Sequence, residues 1–207
     1  MQMTIVDLFE DKVAYYMTPK CGSRTIFGWG ALIKEPDLIL KNEELFKDSA
    51  KGGIYSQISK KLKFYKSTRH NQEVRFCIVR DPVDRFISGF TNRILYHDDI
   101  KITITIDEFI IYFDDIMKNP EFKNAALHFY PQVDSIGDNP NLYTHIFKLS
   151  EMSKIKTLLE EYCGFHLPHL HMQQSGGIRK PTLTKEQIEW VKKRYEIDYR
   201  IYGKWMT

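Results

Sequence analysis

An α/β fold, a parallel sheet with helices on both faces, is what this 207-residue sequence predicts, and three observations point to it. Val13 to Met17 (VAYYM), Val74 to Val79 (VRFCIV) and His145 to Leu149 (HIFKL) are short apolar runs rich in β-forming residues. Each is followed by a segment whose apolar residues recur at helical spacing, so strands and helices alternate along the chain. Strands apolar along their whole length are those buried on both faces, as in a parallel sheet between two helix layers.

The first strand runs into Pro19-Lys20-Cys21-Gly22 and then TIFGWGAL, which reads as the opening turns of a helix. Residues 34–69 are mixed and lysine-rich, with Gly52-Gly53 as a turn, and read as a mobile or substrate-facing segment. After the Val74 strand, Asp81 fits a helix cap, Pro82 the first helical position, and Asp84 the negative charge favoured in a first turn. Phe86, Ile87, Phe90 and Ile94 keep the helical period and are expected to face the core. Residues 107–117 read as a further helix. Ser150 is expected to cap a helix through Tyr162, with Ile155, Leu158, Leu159 and Tyr162 as its apolar stripe. A last helix is marked by the Thr184/Gln187 capping box and by Ile188, Val191, Tyr195 and Tyr199.

Composition narrows the class. A chain of this length with 43% hydrophobic residues has the makings of one domain over residues 1–207. No run approaches 18 apolar residues, and MQMTIVDLFEDKVAYY has acidic residues where a secretory signal needs a basic start, so a soluble, cytoplasmic protein without a transmembrane segment is expected. Three cysteines, Cys21, Cys77 and Cys163, follow no metal or disulfide spacing and fit a reducing compartment. A net charge of +3 suits an anionic ligand but is too weak to argue for nucleic acid. Nothing in the pattern demands more than weak homo-oligomerisation.

Two segments have the chemistry to hold anions. In the first, Lys20 is a mobile cation, Gly22 permits close backbone approach, Ser23 and Thr25 add hydroxyls at a helix start, and Arg24 adds a forked cation. In the second, Arg80 stands at the end of a strand and Ser88 lies eight residues on, along the helix that Asp81 caps. Each segment also has a plain reading, the first as an ordinary loop and the second as an Arg80 pair with Asp81 or Asp84. Two anion sites at the ends of two strands of one sheet suit a nucleotide charged at both ends of its ribose.

PKCGSRTI resembles the 5'-phosphosulfate loop of sulfotransferases, and FCIVRDPVDRFISGF is similar to their 3'-phosphate segment, as in the Golgi-type carbohydrate sulfotransferases. HFYPQ at 128–132 resembles the H-x-x-P-Q element of that group, and LTKEQIEWVKKRYEIDYRIYG resembles its closing helix. The resemblance runs from residue 13 to residue 203 and leaves 34–69 poorly matched. It implies a P-loop-like three-layer fold and transfer of a sulfuryl group from 3'-phosphoadenosine 5'-phosphosulfate to a hydroxyl of a carbohydrate or glycoconjugate, without a metal. Lys20, Cys21, Gly22, Ser23, Arg24 and Thr25 would then contact the 5'-phosphosulfate, and Arg80 and Ser88 the 3'-phosphate, with Lys20 also acting on the leaving oxygen. Family loops place Thr or Ser where this chain has Arg24.

In-line transfer calls for a base near the acceptor hydroxyl, and histidine suits it. His128 is the first choice, His97 a substrate-side alternative, and Glu35 the nearest acidic residue after the first loop. The loop with Gly176-Gly177 and the cations Arg179 and Lys180 is expected to fold over the nucleotide, and its resemblance to the late basic loop of some family members implies that these two residues serve the 3'-phosphate. Phe27 or Trp29, or Leu149 and Ser150, are the adenine contacts considered. His166, His169 and His171 could in principle hold zinc but lack a fourth ligand. The lysines and arginine between 47 and 69 could line a path for an anionic sugar. The rival readings are a small P-loop kinase, which the missing first Walker glycine disfavours, and a nucleotide- or glycan-binding protein without turnover.

Overall fold

The computed structural model describes residues 3–37, 62–67, 70–99, 103–170 and 177–206. Most of the segment expected to face substrate lies outside the described residues, as does His171; of its basic run from 47 onward, Lys63 and Lys66 are described and fall in a strand.

Five strands form one sheet in the order β3-β1-β2-β4-β5: β1 (Met3–Phe9), β2 (Val13–Tyr16), β3 (Lys63–Ser67), β4 (Val74–Val79) and β5 (His145–Lys148). The expected parallel sheet holds for β2, β4 and β5, whose neighbours pair in parallel. It fails at the other edge, where β1 pairs antiparallel with both β2 and β3, so the sheet is mixed. The reason is a three-residue hairpin connection, Glu10 to Lys12, that turns at Glu10-Asp11. Both residues have positive φ, 44° and 58°, and Lys12 N–H donates to Phe9 O at 2.7 Å. This is the backbone a tight hairpin demands, built here without the Asn-Gly or Asp-Gly pair that would advertise it. Asp7 helps by accepting from Asp11 N–H at 2.9 Å, and its other oxygen pairs with Lys34 at 2.9 Å.

Helices cover both faces. On one, α1 (Ser23–Lys34) and α7 (Met152–Cys163) bury Ile26, Trp29, Leu32, Ile155 and Leu159 against Tyr15, Phe76 and Ile78. On the other, α6 (Val133–Ile136) and α9 (Glu196–Tyr202) pack Val133, Ile136 and Tyr202 on Tyr16, Cys77 and Val79. The alternation of Tyr15 with Tyr16 and of Phe76 with Cys77 between these clusters is the two-residue period of a strand buried on both sides.

A third, aromatic cluster lies beneath α2 (Pro82–Phe90), α3 (Ile106–Ile111), α4 (Phe113–Lys118), α5 (Lys123–Ala126) and α8 (Lys185–Arg194). Asp81 caps α2 as expected, accepting from Val83 N–H at 2.8 Å and Asp84 N–H at 3.3 Å, with Pro82 in the first turn. Phe86, Phe90 and Ile94 are buried, while Ile87 is only partly so. The helix does not stay regular: from Thr91 to Tyr96 it widens into a π-helical turn.

Three expected helices need revising. The 107–117 helix breaks at Tyr112, and the last one breaks at Tyr195. Ser150 does not cap α7; it is exposed inside a 3₁₀ turn, and Glu151 instead accepts from Lys148 N–H at 2.9 Å. The Thr184/Gln187 capping box is present, with both reciprocal hydrogen bonds. Among the described residues, no helix is long and apolar enough to cross a membrane.

Candidate functional site

Strands β2 and β4 are parallel neighbours in register, Tyr16 opposite Cys77, so the chain leaves both at the same edge of the sheet. That geometry brings the loop after β2 beside the segment after β4, the place where open α/β sheets hold ligands. Two left-handed residues bend the first loop back into α1: Lys20 at φ 67° and Gly22 at φ 77°. Gly22 is required twice over, because a Cβ there would also stand 3.0 Å from Leu149 Cδ1 and 3.3 Å from Met152 Sδ. Lys20 has no such exemption and spends about 1 kcal/mol or more on its backbone. No side chain caps α1 and no acidic residue lies in its first turn, so the helix start presents its positive end outward.

Lys20 reaches across to α2. Its Nζ donates to Asn92 Oδ1 on the π-helical turn. Burial lowers its pKa to about 7, with repulsion from Arg93, Arg24 and Arg80 adding to the effect and Asp99 opposing it. Arg93 itself pairs with Asp99 at 2.5 Å. A lysine held among three arginines is an electrostatic demand for an anion.

The two anion segments touch. Arg80 Nη1 donates to the Lys20 carbonyl at 3.2 Å. Its backbone is held as well: Arg80 N–H donates to Gln132 Oε1 at 3.0 Å, and Gln132 Nε2 donates to Arg80 O at 2.9 Å. Ser88 is half-buried on α2, about one turn before Asn92. On the outer side of Arg80 lies a cleft of about 400 Å³ lined by Val83, Asp84, Ile87, Lys180, Leu183 and other residues. Lys180 lines this cleft with Arg80; Arg179, exposed like Lys180, does not.

A family model described as Sulfotransferase family matches residues 4–204. The chain belongs to the sulfotransferase family. Searches among curated proteins and among solved structures gave no match.

Several side chains of this sulfotransferase sit differently from expectation. The Cys21 thiol is buried, pushed up to about 12 by burial, and points at Gln132 Oε1 3.5 Å away, so only its backbone can face a ligand. Ser23 Oγ is committed inward, 3.0 Å from Thr18 O and 2.9 Å from Tyr15 OH. Arg24 and Thr25 are half-buried in the first turn of α1. Phe27 and Trp29 belong to the core, and Trp29 Nε1 donates to Pro168 O at 2.9 Å, so neither offers a face to adenine. Leu149 packs over Gly22 and Ser150 is exposed.

Of the three base candidates, the structure separates one. Glu35 caps the far end of α1, roughly 18 Å along the axis from the loop at 1.5 Å per residue, and is not part of the site. His97 is exposed just after the π-helical turn; burial and the charges of Arg93, Arg24 and Lys20 lower its pKa, against the pull of Asp99. His128 faces the same cations. Burial first, then Lys20, Arg93, Arg85 and Arg24, lower its pKa to about 3, and its Nδ1 is buried with no hydrogen-bond partner among the described residues. Buried Arg85 fixes this stretch by donating to the carbonyls of His128, at 3.2 Å, and Tyr130. Gly89 lets α2 come close, since a Cβ there would lie 3.0 Å from Phe129 Cε1 and 3.3 Å from Phe129 Cζ.

Asn92, Arg93, Arg85 and Gln132 were not singled out by sequence. The first three follow from where α2 and its π-helical turn point, and only the H-x-x-P-Q pattern hinted at Gln132. Of the three clustered histidines, exposed His166 lies 3.5 Å from Glu160, and the described residues hold no group of three or more His, Cys, Asp or Glu that could bind a metal.

Proposed function

We propose that this sulfotransferase moves a sulfuryl group from 3'-phosphoadenosine 5'-phosphosulfate to a hydroxyl of a carbohydrate or glycoconjugate. The observation that carries the reading is the 3.2 Å contact between Arg80 and the Lys20 carbonyl, which makes the two anion-holding segments one continuous surface. When bound, the donor supplies the sulfuryl group and a phosphate leaving group.

The chain's own residues do the rest. Lys20 and the α1 start hold the 5' end and offset charge gathering on the leaving oxygen. Arg80, Ser88 and Lys180 hold the 3'-phosphate. His128 keeps its ring neutral in the free protein, and so has a nitrogen open to accept the acceptor hydroxyl proton. Its basicity rises when a bound dianion offsets Lys20, Arg93 and Arg24, so base strength and donor occupancy are coupled. His97 flanks the same cations from the solvent side. The carbohydrate acceptor rests on the motif resemblance.

A kinase reading finds less support. Asp81, the carboxylate after β4, has both oxygens engaged, one on the α2 cap and the other accepting from Tyr199 OH at 2.9 Å. Calorimetric titration with 3'-phosphoadenosine 5'-phosphate and with ATP plus magnesium separates the readings. The expected result is preference for the former and marked weakening by Arg80→Ala. Preference for magnesium-ATP, or an Arg80→Ala protein that binds as well as wild type, overturns the assignment. Sulfated product from a sugar acceptor separates an enzyme from a binder without turnover.

A further inference from the structure

Strand β4 ends its ladder one residue before Arg80: its last pairs are Cys77 with Tyr16 and Val79 with Lys148. Among the described residues no strand pairs with Arg80, yet its N–H and C=O are both satisfied. The partner is one side chain. The Gln132 amide accepts from Arg80 N–H at 3.0 Å and donates to Arg80 O at 2.9 Å, reproducing with a carboxamide the pair of bonds that a neighbouring strand would supply. The same Oε1 faces the Cys21 thiol at 3.5 Å, so one amide touches both anion-holding segments.

Gln132 is in turn anchored. Its own N–H donates to Asp198 Oδ2 at 2.8 Å, Val133 N–H donates to Asp198 Oδ1 at 3.0 Å, and Gln132 Nε2 lies 3.4 Å from Oδ2. Both Gln132 and Asp198 are fully buried. A buried carboxylate gripping two consecutive backbone amides is an expensive device for holding a loop in place, and burial accordingly raises its pKa. Arg85, also buried, supplies the opposing charge.

We propose that Gln132 is a positioning residue for donor binding: it sets the separation between the Lys20 loop and Arg80, and Asp198 on the last helix holds Gln132 in place. This rests on the reading of the site as one for a nucleotide phosphorylated at 3' and 5'. Gln132 acts through Arg80, so its loss is felt at the 3'-phosphate and much less at the 5' end, which Lys20 and α1 hold.

The test compares binding of 3'-phosphoadenosine 5'-phosphate with that of adenosine 5'-phosphate, which lacks the 3' group, in wild type, Gln132→Met and Asp198→Asn. In wild type the doubly phosphorylated ligand binds more tightly; if it does not, the functional reading itself fails. In Gln132→Met the preference falls about tenfold, the scale of one misplaced charged hydrogen bond, while adenosine 5'-phosphate affinity is kept. Asp198→Asn shifts the preference in the same direction by less. A folded Gln132→Met with the wild-type preference overturns the proposal, as does an equal loss for both ligands. Should neither variant fold, hydrogen exchange on wild type decides: the Arg80 amide is expected to exchange as slowly as those of β4, and exchange at a loop's rate refutes the lock.

Discussion

Lys20 gives the proposed donor site a pH signature that can be calculated in advance. In the free protein its pKa is held at about 7, by burial first and by Arg93, Arg24 and Arg80 after it, against an ordinary 10.5. A bound dianion offsets those cations and returns the value toward 10.5. Below pH 7 the amine is charged with or without ligand, and its proton has no influence on affinity. Above pH 7 the free protein has released a proton that the complex retains, so binding must take it up. If the bound value is fully restored, affinity for 3'-phosphoadenosine 5'-phosphate falls about fiftyfold from pH 7 to pH 9. Uptake is about half a proton at pH 7 and close to one at pH 8. Few neighbours interfere in this window. His97 and His128 titrate below it, Cys21 lies at about 12, and the ligand's phosphates have completed their second ionisation, near pH 6. Calorimetry in two buffers of different ionisation enthalpy measures the uptake, with Lys20→Met as control. The variant is expected to bind more weakly and to lose the slope. Affinity that is flat or rises between pH 7 and pH 9, or a slope that survives in Lys20→Met, refutes the electrostatic account.

Other substitutions probe separate parts of the site. Gly22→Ala places a side chain at φ 77° and 3.0 Å from Leu149, so it should destabilise by about 1–2 kcal/mol in denaturant titration and weaken nucleotide binding. Asp81→Ala removes the α2 cap and the acceptor of Tyr199, and the melting temperature should fall by roughly 2–4 °C per kcal/mol lost, with about 1 kcal/mol from the cap alone. His128→Ala should lower kcat about 10²- to 10⁴-fold without weakening nucleotide binding. Glu35→Gln, at the remote end of α1, should leave kcat unchanged; a large loss there would reopen the question of the base.

The parts of the fold legible in sequence were those governed by local chemistry. VRFCIV is apolar apart from Arg75 because both faces of β4 are covered, and Asp81-Pro82 announces a helix start through capping and a fixed φ. The hairpin that makes the sheet mixed was hidden, because Glu10 and Asp11 adopt positive φ under tertiary constraint and carry no glycine to show it. The breaks at Tyr112 and Tyr195 were equally silent, since the helical period continues on either side of each.

In the proposed site, the meeting of the Lys20 loop with Arg80 was legible because both follow the ends of short β-rich runs, which lie side by side as parallel strands. Cys21 and Ser23 share that loop but turn inward, a matter of side-chain direction that spacing does not encode. Phe27 and Trp29 look like adenine platforms in sequence and are core residues, as helical aromatics commonly are. Asn92 and Arg93 depend on the π-helical turn after α2, which no residue pattern marks.

The most direct test of the two-segment site is the stoichiometry and phosphate dependence of nucleotide binding to the wild-type protein. Calorimetry should show one molecule of 3'-phosphoadenosine 5'-phosphate per chain, with removal of either the 3'- or the 5'-phosphate weakening it about tenfold or more, one charged contact set lost each time. Two independent binding events per chain, or an affinity indifferent to one of the phosphates, would contradict a surface that grips both ends of a single ligand.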